Sequence, residues 1–394
     1  MAKLEFPDGF LWGASTASHQ VEGNTHNQWS EWEKSSGRFA QLEKDGLIAR
    51  CGKGNFISGI ATDHYRRYSE DFAMARELGH TATRFSIEWS RIEPSEGQFN
   101  DEAIAHYRDV IKIVRLLGME PFVTLWHWTV PVWFSERGGF EHKVNLGYFE
   151  RFCEKMAAEL SGVKFWITLN EPEIYTSYGY LNGTWPPTKK SKVTVLKVFH
   201  NLARAHRLVY KKVKGINPAA QVGIAKHNIY FEACGGRPWN VVIKKCADWG
   251  WNFYFLNKIL GAQDFIGLNH YFHNRINWKT NQNENAKVSD MGWELYPEAI
   301  YHALRDLKRY MLPIYITENG LADAEDRQRE WFIKETLISV HRAIVDGVDV
   351  RGYLHWSLMD SFGLIAIDYS TQTRTPRSSA LMYKNICRDN GFEQ

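Results

Sequence analysis

The stretch KFWITLNE, residues 164–171, is a short run of apolar and β-branched side chains that ends in an asparagine and a glutamate. It lacks the apolar–polar alternation of a half-exposed strand, which favours a parallel β-strand buried on both faces. Seven more runs of seven or eight residues have the same character. They are FLWGASTA (10–17), ATRFSIEW (82–89), EPFVTLWH (120–127), QVGIAKHN (221–228), DFIGLNHY (264–271), PIYITEN (313–319) and GYLHWSL (352–358). The sequence therefore predicts eight strands.

Amphipathic stretches separate these strands. Apolar residues recur every three or four positions within residues 70–78, 106–117, 195–213, 298–310 and 330–345, which predicts helices. No linker rich in serine, proline or glycine divides the chain. Eight strand–helix units predict an α/β fold, a single (β/α)8 TIM barrel that spans residues 1–394 as one domain. A doubly wound open sheet is disfavoured because no GxGxxG or P-loop motif follows the first strand.

The composition is that of an ordinary globular protein. The chain has 394 residues, a net charge of +3 and no long basic block, so no nucleic-acid partner is expected. No run approaches the roughly 20 apolar residues of a membrane helix, so no membrane segment is expected. The five cysteines are an odd number without a CxxC pair, which indicates reduced thiols. Together with a start, MAKLEFPDGF, that lacks the apolar core of a signal peptide, this predicts a cytoplasmic protein.

The tryptophan content is high for a chain of this length. There are 16 tryptophans, and aromatic residues make up 14% of the sequence. Two interpretations are open: a core rich in tryptophan, or a site in which indole rings stack on the faces of sugars. Composition alone favours neither of them.

Two glutamates stand at the ends of predicted strands, where (β/α)8 barrels carry their chemistry. Glu171 ends the fourth strand and Glu318 the seventh, and an asparagine adjoins each. These strands lie on different sides of an eight-stranded barrel, so the two carboxyls are expected to face each other. Facing carboxyls suit glycoside hydrolysis, and Arg84, within the second strand, is placed to keep one of them ionised. A lone glutamate at a strand end is more often a cap or an ion-pair partner.

Metal chemistry has little support in the sequence. No HExxH motif and no histidine or cysteine spacing of a metal site is present, and neither a metal nor a cofactor is predicted. For His127, after the third strand, a hydrogen-bonded core histidine and a substrate contact are equally favoured.

Several motifs resemble those of glycoside hydrolase family 1, a family of retaining β-glycosidases, and occur in that family's order. They include FLWGASTASHQVEG (10–23), RFSIEWSRIEP (84–94), VTLWHWTVP (123–131), TLNEP (168–172), YITENGLAD (315–323) and GYLHWSLMD (352–360). The resemblance implies that Glu171 is the acid/base and Glu318 the nucleophile, with Arg84 and Tyr271 hydrogen-bonded to the nucleophile. It also implies a set of residues that bind the sugar: Gln20, His127, Trp128, Asn170 and Trp356. Trp185 is expected on the aglycone side.

The resemblance implies an exo-acting enzyme that hydrolyses β-glucosides and β-galactosides in two steps, with retention at the anomeric carbon. Its expected partner is a small-molecule β-glycoside or oligosaccharide. Retention predicts catalytic carboxyls about 5–5.5 Å apart. A catalytically weakened barrel that mainly binds a sugar or an apolar ligand is the alternative, and transglycosylation would use the same residues. The sequence leaves the natural aglycone and the oligomeric state open.

One departure from the family lies after the eighth strand. Members usually continue SLMD with NFEW and several more residues before RFGL, whereas here Ser361 alone separates SLMD (357–360) from FGL (362–364). The glutamate and tryptophan that bind the 4- and 6-hydroxyls therefore have no counterpart, and neither do the residues that hold a 6-phosphate. Weak discrimination between glucosides and galactosides is expected.

Overall fold

The computed structural model describes residues 3–160, 162–280, 287–360 and 362–393, and its centre is a closed barrel of parallel strands. The strands are β1 (Leu11–Ser15), β2 (Ala82–Ser86), β3 (Glu120–Thr124), β4 (Phe165–Asn170), β5 (Gln221–His227), β6 (Phe265–Asn269), β7 (Ile314–Asn319) and β8 (Val350–Trp356). Each pairs with the next along the chain. The barrel closes between β8 and β1, where Gly352 lies opposite Leu11 and Trp356 opposite Ser15. The predicted (β/α)8 barrel is confirmed, and this closure excludes the open sheet.

A helix follows every barrel strand. These helices are α1 (His64–Glu77), α2 (Asp101–Leu116), α3 (Leu146–Glu159), α4 (Lys192–Ile216), α5 (Pro238–Ala247), α6 (Ala299–Leu307), α7 (Arg329–Val345) and α8 (Ser378–Asp389). Helix α2 begins at its cap, because the Asn100 side chain accepts a hydrogen bond from the Ala103 backbone at 3.1 Å. Its buried stripe includes Val110 and Val114, as the periodicity predicts.

The remaining elements are short. Among the described residues, three further strand pairs lie outside the barrel: Lys3–Glu5 with Gly391–Glu393, Tyr230–Ala233 with His273–Ile276, and Ile365–Asp368 with Thr373–Pro376. Short α-helices are Ser18–Val21, Gln28–Glu33, Ser36–Lys44, Leu47–Cys51, Trp89–Ile92, Val132–Glu136, Pro172–Thr176 and Tyr254–Lys258. Single turns of 3-10 or π-helix are Lys53–Phe56, Gly139–Glu141, Lys143–Asn145, Ser177–Asn182, Cys234–Gly236, Asp248–Phe253 and Lys308–Tyr310.

Aromatic side chains fill the amino-terminal half of the barrel. Phe122, Phe165, Phe265 and Tyr315 stand within the first three residues of their strands and are buried against one another. The rings of Phe122 and Phe165 stack with their centroids 4.2 Å apart. A separate, larger apolar core packs between the strands and the surrounding helices. Because apolar rings occupy one end of the barrel interior, the polar side chains gather at the carboxyl ends of the strands.

Helix length and hydropathy give no sign of a membrane span: within the described ranges, no helix combines the length and the apolar character that crossing a bilayer requires.

Candidate active site

The two predicted glutamates lie at the carboxyl ends of β4 and β7, and both are buried, each with 4% of its surface exposed. Glu318 lies within β7, opposite Asn269 of β6. Its Oε1 accepts a hydrogen bond from Arg84 Nη1 at 2.5 Å, and its Oε2 accepts one from the Tyr271 hydroxyl at 2.9 Å. Both carboxylate oxygens of Glu318 are therefore held by protein donors.

Arg84 is fully buried in β2, and its guanidinium is fixed on several sides. Besides Glu318, it donates to Thr124 Oγ1 at 3.0 Å and to Asn170 Oδ1 at 2.6 Å. Burial raises the pKa of Glu318, but the charge and hydrogen bond of Arg84 and the hydrogen bond of Tyr271 oppose that rise by favouring the carboxylate. The arrangement thus supports an ionised, oriented Glu318.

Glu171 has a different environment. The backbone has a positive φ of 44°, a left-handed conformation that costs a non-glycine residue about 1–3 kcal/mol and is kept only where the surroundings hold it. Its amide donates to the Ala225 carbonyl at 2.8 Å, and its Oε1 accepts from Asn269 Nδ2 at 2.8 Å. Burial, and next the charge of Glu318, raise the pKa of Glu171 well above its usual value. Two carboxyls in such unequal environments can serve as proton donor and anion at the same pH.

Asn269 links the two halves of the site, and it is not among the site residues predicted from the sequence. Its Nδ2 also lies 3.2 Å from Asn170 Oδ1, and its Oδ1 accepts from Thr317 Oγ1 at 2.7 Å. A chain of hydrogen bonds therefore runs from Glu171 through Asn269, Asn170 and Arg84 to Glu318. The signal that could have identified Asn269 is the one that selected the glutamates, a polar residue ending an apolar strand.

His127 carries a free hydrogen-bond donor inside the site. The Asn170 amide nitrogen donates to His127 Nε2 at 3.1 Å, and its orientation is fixed because Asn170 Oδ1 already accepts from Arg84. Burial, helped by the nearby Arg84 charge, lowers the pKa of His127 well below its usual value, so the ring is neutral. A neutral ring that accepts at Nε2 has its proton on Nδ1. This Nδ1 is buried and has no partner within the described parts of the chain.

Tryptophan rings form the walls beside His127. The Trp356 ring stacks on the His127 ring with centroids 5.8 Å apart. Trp128 donates from Nε1 to the Asn170 carbonyl at 3.1 Å, and its ring centroid lies 4.8 Å from that of Trp185. Gln20, which is exposed, lines a cavity of about 110 Å³ together with His127, Trp128 and Trp185. Trp29 also lines this cavity, although it is not among the residues predicted from the sequence.

Phe362, beyond the end of β8, belongs to an aromatic group that reaches Tyr271, the hydrogen-bond partner of Glu318. Phe362 lies 6.0 Å from the Trp293 ring, and Trp293 lies 6.0 Å from the ring of Tyr271. The run FGLIAIDY (362–369) contains the strand Ile365–Asp368. Ser361, which replaces the usual loop, lies outside the described residues.

The structure thus gathers the predicted residues into two groups. Glu171, Asn170, Arg84, Glu318 and Tyr271 belong to one hydrogen-bonded network. His127 joins this network through Asn170, and Trp356, Trp128 and Gln20 lie around His127.

Comparison with known proteins gives consistent matches along the whole chain. The family model described as glycosyl hydrolase family 1 matches residues 2–246 and 240–392. Beta-glucosidase A of Acetivibrio thermocellus is 31% identical over 455 aligned residues, covering 100% of both chains. An alignment longer than this chain of 394 residues means that the relative carries segments absent here.

Solved structures agree with the sequence matches. The beta-glycosidase from Pyrococcus horikoshii has a TM-score of 0.89 and 36% identity, with 100% of this chain and 97% of that chain covered. The beta-glucosidase from Thermotoga maritima in complex with deoxynojirimycin has a TM-score of 0.90 and 28% identity, with coverage of 99% and 100%. On these matches, the chain belongs to glycosyl hydrolase family 1.

Proposed function

We propose that the chain is a retaining exo-β-glycosidase that hydrolyses β-glucosides and β-galactosides, with Glu318 as nucleophile and Glu171 as acid/base. The proposal rests on the unequal environments of the two buried carboxyls: Arg84 and Tyr271 donate hydrogen bonds to Glu318, whereas Glu171 accepts its hydrogen bond from the neutral amide of Asn269. Family membership and the relatives' names support hydrolysis of O-glycosidic bonds by this protein. In this proposal residues 1–394 act as one catalytic domain.

In the first step, a carboxylate oxygen of Glu318 forms a bond to the anomeric carbon while the bond from that carbon to the aglycone oxygen breaks. Glu171, whose pKa is raised by burial and by the Glu318 charge, gives its proton to the departing oxygen. The products are a glycosyl ester on Glu318, a free aglycone and an ionised Glu171.

In the second step, water replaces the aglycone. The Glu171 carboxylate takes a proton from water, the water oxygen bonds to the anomeric carbon, and the ester bond to Glu318 breaks. Both catalytic groups return to their starting states. Two inversions at the anomeric carbon restore the β-configuration in the released sugar.

The surrounding residues fit a sugar held at its nonreducing end. One Asn170 Nδ2 hydrogen points to His127, which leaves the second for a substrate hydroxyl, the 2-hydroxyl in this proposal. The Nδ1 hydrogen of His127 is a second donor, and Trp356 offers a ring face beside it. Hydrogen bonds to the sugar that strengthen as positive charge develops lower the barrier.

The short 360–363 turn sets the expected substrate range. Without the usual partners of the 4- and 6-hydroxyls, the enzyme should discriminate weakly between glucosides and galactosides. It should also show a high KM and a low kcat, because contacts remote from the reacting bond help to lower the barrier.

Initial rates on four aryl β-glycosides test this function: the glucoside, the galactoside, the fucoside and the 6-phosphoglucoside. The expected result is turnover of the first three, with near-total loss in Glu318→Ala. Calorimetric binding of these glycosides without turnover would instead support the alternative, a barrel that only binds sugar or an apolar ligand. Transglycosylation is distinguished by analysing products in the presence of an added acceptor alcohol.

A further inference from the structure

A buried ion pair lies next to the catalytic glutamate but outside the hydrogen-bonded network described above. Lys226 Nζ lies 3.0 Å from Glu173 Oε1, and both side chains are almost completely buried. Glu173 is two residues after Glu171, in the first turn of the helix Pro172–Thr176, and Lys226 is in β5. An ion pair in such a place is costly to desolvate, and apolar residues of similar size would often serve stability equally well.

Three successive residues of β5 bind the turn that carries Glu171. The Ala225 carbonyl accepts from the Glu171 amide at 2.8 Å. Lys226 pairs with Glu173 Oε1, and the His227 amide donates to the same oxygen at 2.7 Å. The left-handed backbone at Glu171 is thus held on one side by a backbone hydrogen bond and on the other by the buried pair.

The remaining donors of Lys226 are used within the protein. Its ammonium donates to the His227 carbonyl and to the Trp251 carbonyl, each at 2.8 Å. With the contact to Glu173, all three ammonium hydrogens have partners, so none is left for a substrate. Lys226 therefore has no hydrogen bond to offer a substrate, and it acts on the reaction through the residues it holds and through its charge, which interacts with that of Glu171.

We propose that Lys226 and Glu173 are positioning residues for general acid catalysis, which fix the turn at Glu171 so that its carboxyl meets the departing oxygen. This inference rests on the proposed function, in which Glu171 is the acid. The Glu173 charge also reaches Glu171, where it adds to burial and to Glu318 in raising the pKa, while Arg84 opposes that rise. Lys226 pairs with this charge and keeps it in place.

The leaving group separates a positioning role from a purely structural one. A 2,4-dinitrophenolate departs with little help from an acid, whereas phenolate needs protonation. Because kcat/KM reports the step that forms the glycosyl-enzyme, a misplaced acid lowers it on phenyl β-glucoside far more than on 2,4-dinitrophenyl β-glucoside. A general loss of folded protein lowers both values equally.

The test compares these two substrates in Lys226→Met, in Glu173→Gln and in the double variant. Misplacing the acid in Lys226→Met is expected to lower kcat/KM about 10²-fold on phenyl β-glucoside. On 2,4-dinitrophenyl β-glucoside the loss is expected to stay below about tenfold, since general acid help is small there. The double variant leaves no unpaired buried charge. Its kcat/KM should still fall more on phenyl β-glucoside than on 2,4-dinitrophenyl β-glucoside, by a smaller factor than in Lys226→Met. It therefore replaces Lys226→Met in the test if that variant does not fold.

Arg374→Met is the matched control. Arg374 forms a comparably buried pair with Asp71, at 2.8 Å, between α1 and the strand Thr373–Pro376. Its loss should lower stability and leave the ratio of the two kcat/KM values unchanged. Equal losses on both substrates in the folded Lys226 and Glu173 variants would overturn the inference.

Glu171→Gln separates the two proposals. Glu171→Gln should lose more kcat/KM on phenyl β-glucoside than on 2,4-dinitrophenyl β-glucoside. If it does and the folded Lys226 and Glu173 variants do not, only the positioning role fails. If Glu171→Gln loses kcat/KM equally on both substrates, the assignment of Glu171 as the acid fails as well.

Discussion

Replacement of Arg84 by methionine tests how Glu318 is kept ionised. The change removes a fully buried cation that lies 2.5 Å from Glu318 Oε1 and also donates to Asn170 Oδ1 at 2.6 Å. Methionine keeps most of the side-chain length, so the main effect is the lost charge and its hydrogen bonds. Breaking a buried pair costs about 3–5 kcal/mol of stability, so thermal unfolding must first show that the variant is folded.

The direction of the effect follows from the contacts of Glu318. Burial already raises the pKa of Glu318, and Arg84 is the largest influence that opposes it. An opposite charge this close lowers the pKa of a carboxyl, so removal of Arg84 should raise the pKa of Glu318 further. Since the nucleophile must be ionised, activity falls as pH drops through this pKa. The acidic limb of the pH profile should therefore move toward higher pH.

The assay is kcat/KM against pH on 2,4-dinitrophenyl β-glucoside, because this leaving group makes the profile insensitive to the acid. Tyr271→Phe provides a graded comparison, since it removes one neutral hydrogen bond to Glu318 and keeps the cation. In Tyr271→Phe we expect the acidic limb of the pH profile to move in the same direction, toward higher pH, by a smaller amount. An acidic limb that stays at its wild-type position in folded Arg84→Met would refute the proposed role of Arg84.

Four further predictions concern the catalytic pair, its hydrogen bonding and the sugar. Glu318→Ala should lose on the order of 10⁴- to 10⁶-fold in kcat, as expected for a nucleophile, and added azide should yield an α-glycosyl azide by NMR. Glu171→Ala with azide should instead yield the β-glycosyl azide, because azide then attacks the glycosyl-enzyme; the α-product would contradict its role. Asn269→Ala removes a hydrogen bond that favours ionised Glu171, so the pKa of Glu171 should rise and the basic limb of kcat/KM on phenyl β-glucoside should move to higher pH. An aryl β-fucoside, which lacks the 6-hydroxyl, should react at a rate similar to the glucoside, and a much slower rate would show that a 6-hydroxyl partner exists.

The barrel could be predicted because parallel strands buried on both faces appear in the sequence as short apolar runs without apolar–polar alternation. Residues of β4 and β7 face the barrel interior or the surrounding helices, so both faces are apolar until the strand ends. The first polar residues after such a run lie at the carboxyl ends of the barrel strands, which is why Glu171 and Glu318 could be predicted as site residues. Arg84 stood out as a cation in the middle of the second predicted strand.

Other features of the structure could not be predicted from the sequence. The helix Ser36–Lys44 has no buried residue, so no apolar stripe marks it. The contact between Glu173 and Lys226 depends on the register of β4 against β5, which joins residues more than 50 positions apart. The same holds for Asn269. Its position at the end of a strand could be predicted, but its hydrogen bonds to Glu171 and Asn170 depend on the closed barrel.

The most direct test of the central claim, retention through a covalent intermediate on Glu318, is mass spectrometry of the trapped enzyme. The protein is incubated with 2,4-dinitrophenyl 2-deoxy-2-fluoro-β-glucoside, whose fluorine slows hydrolysis of the intermediate, and is then digested to peptides. The predicted result is one fluoroglucosyl group on the peptide that contains ITENG (316–320), with the label on Glu318. A label on Glu171, or stoichiometric release of dinitrophenol with no label on any peptide, would contradict it.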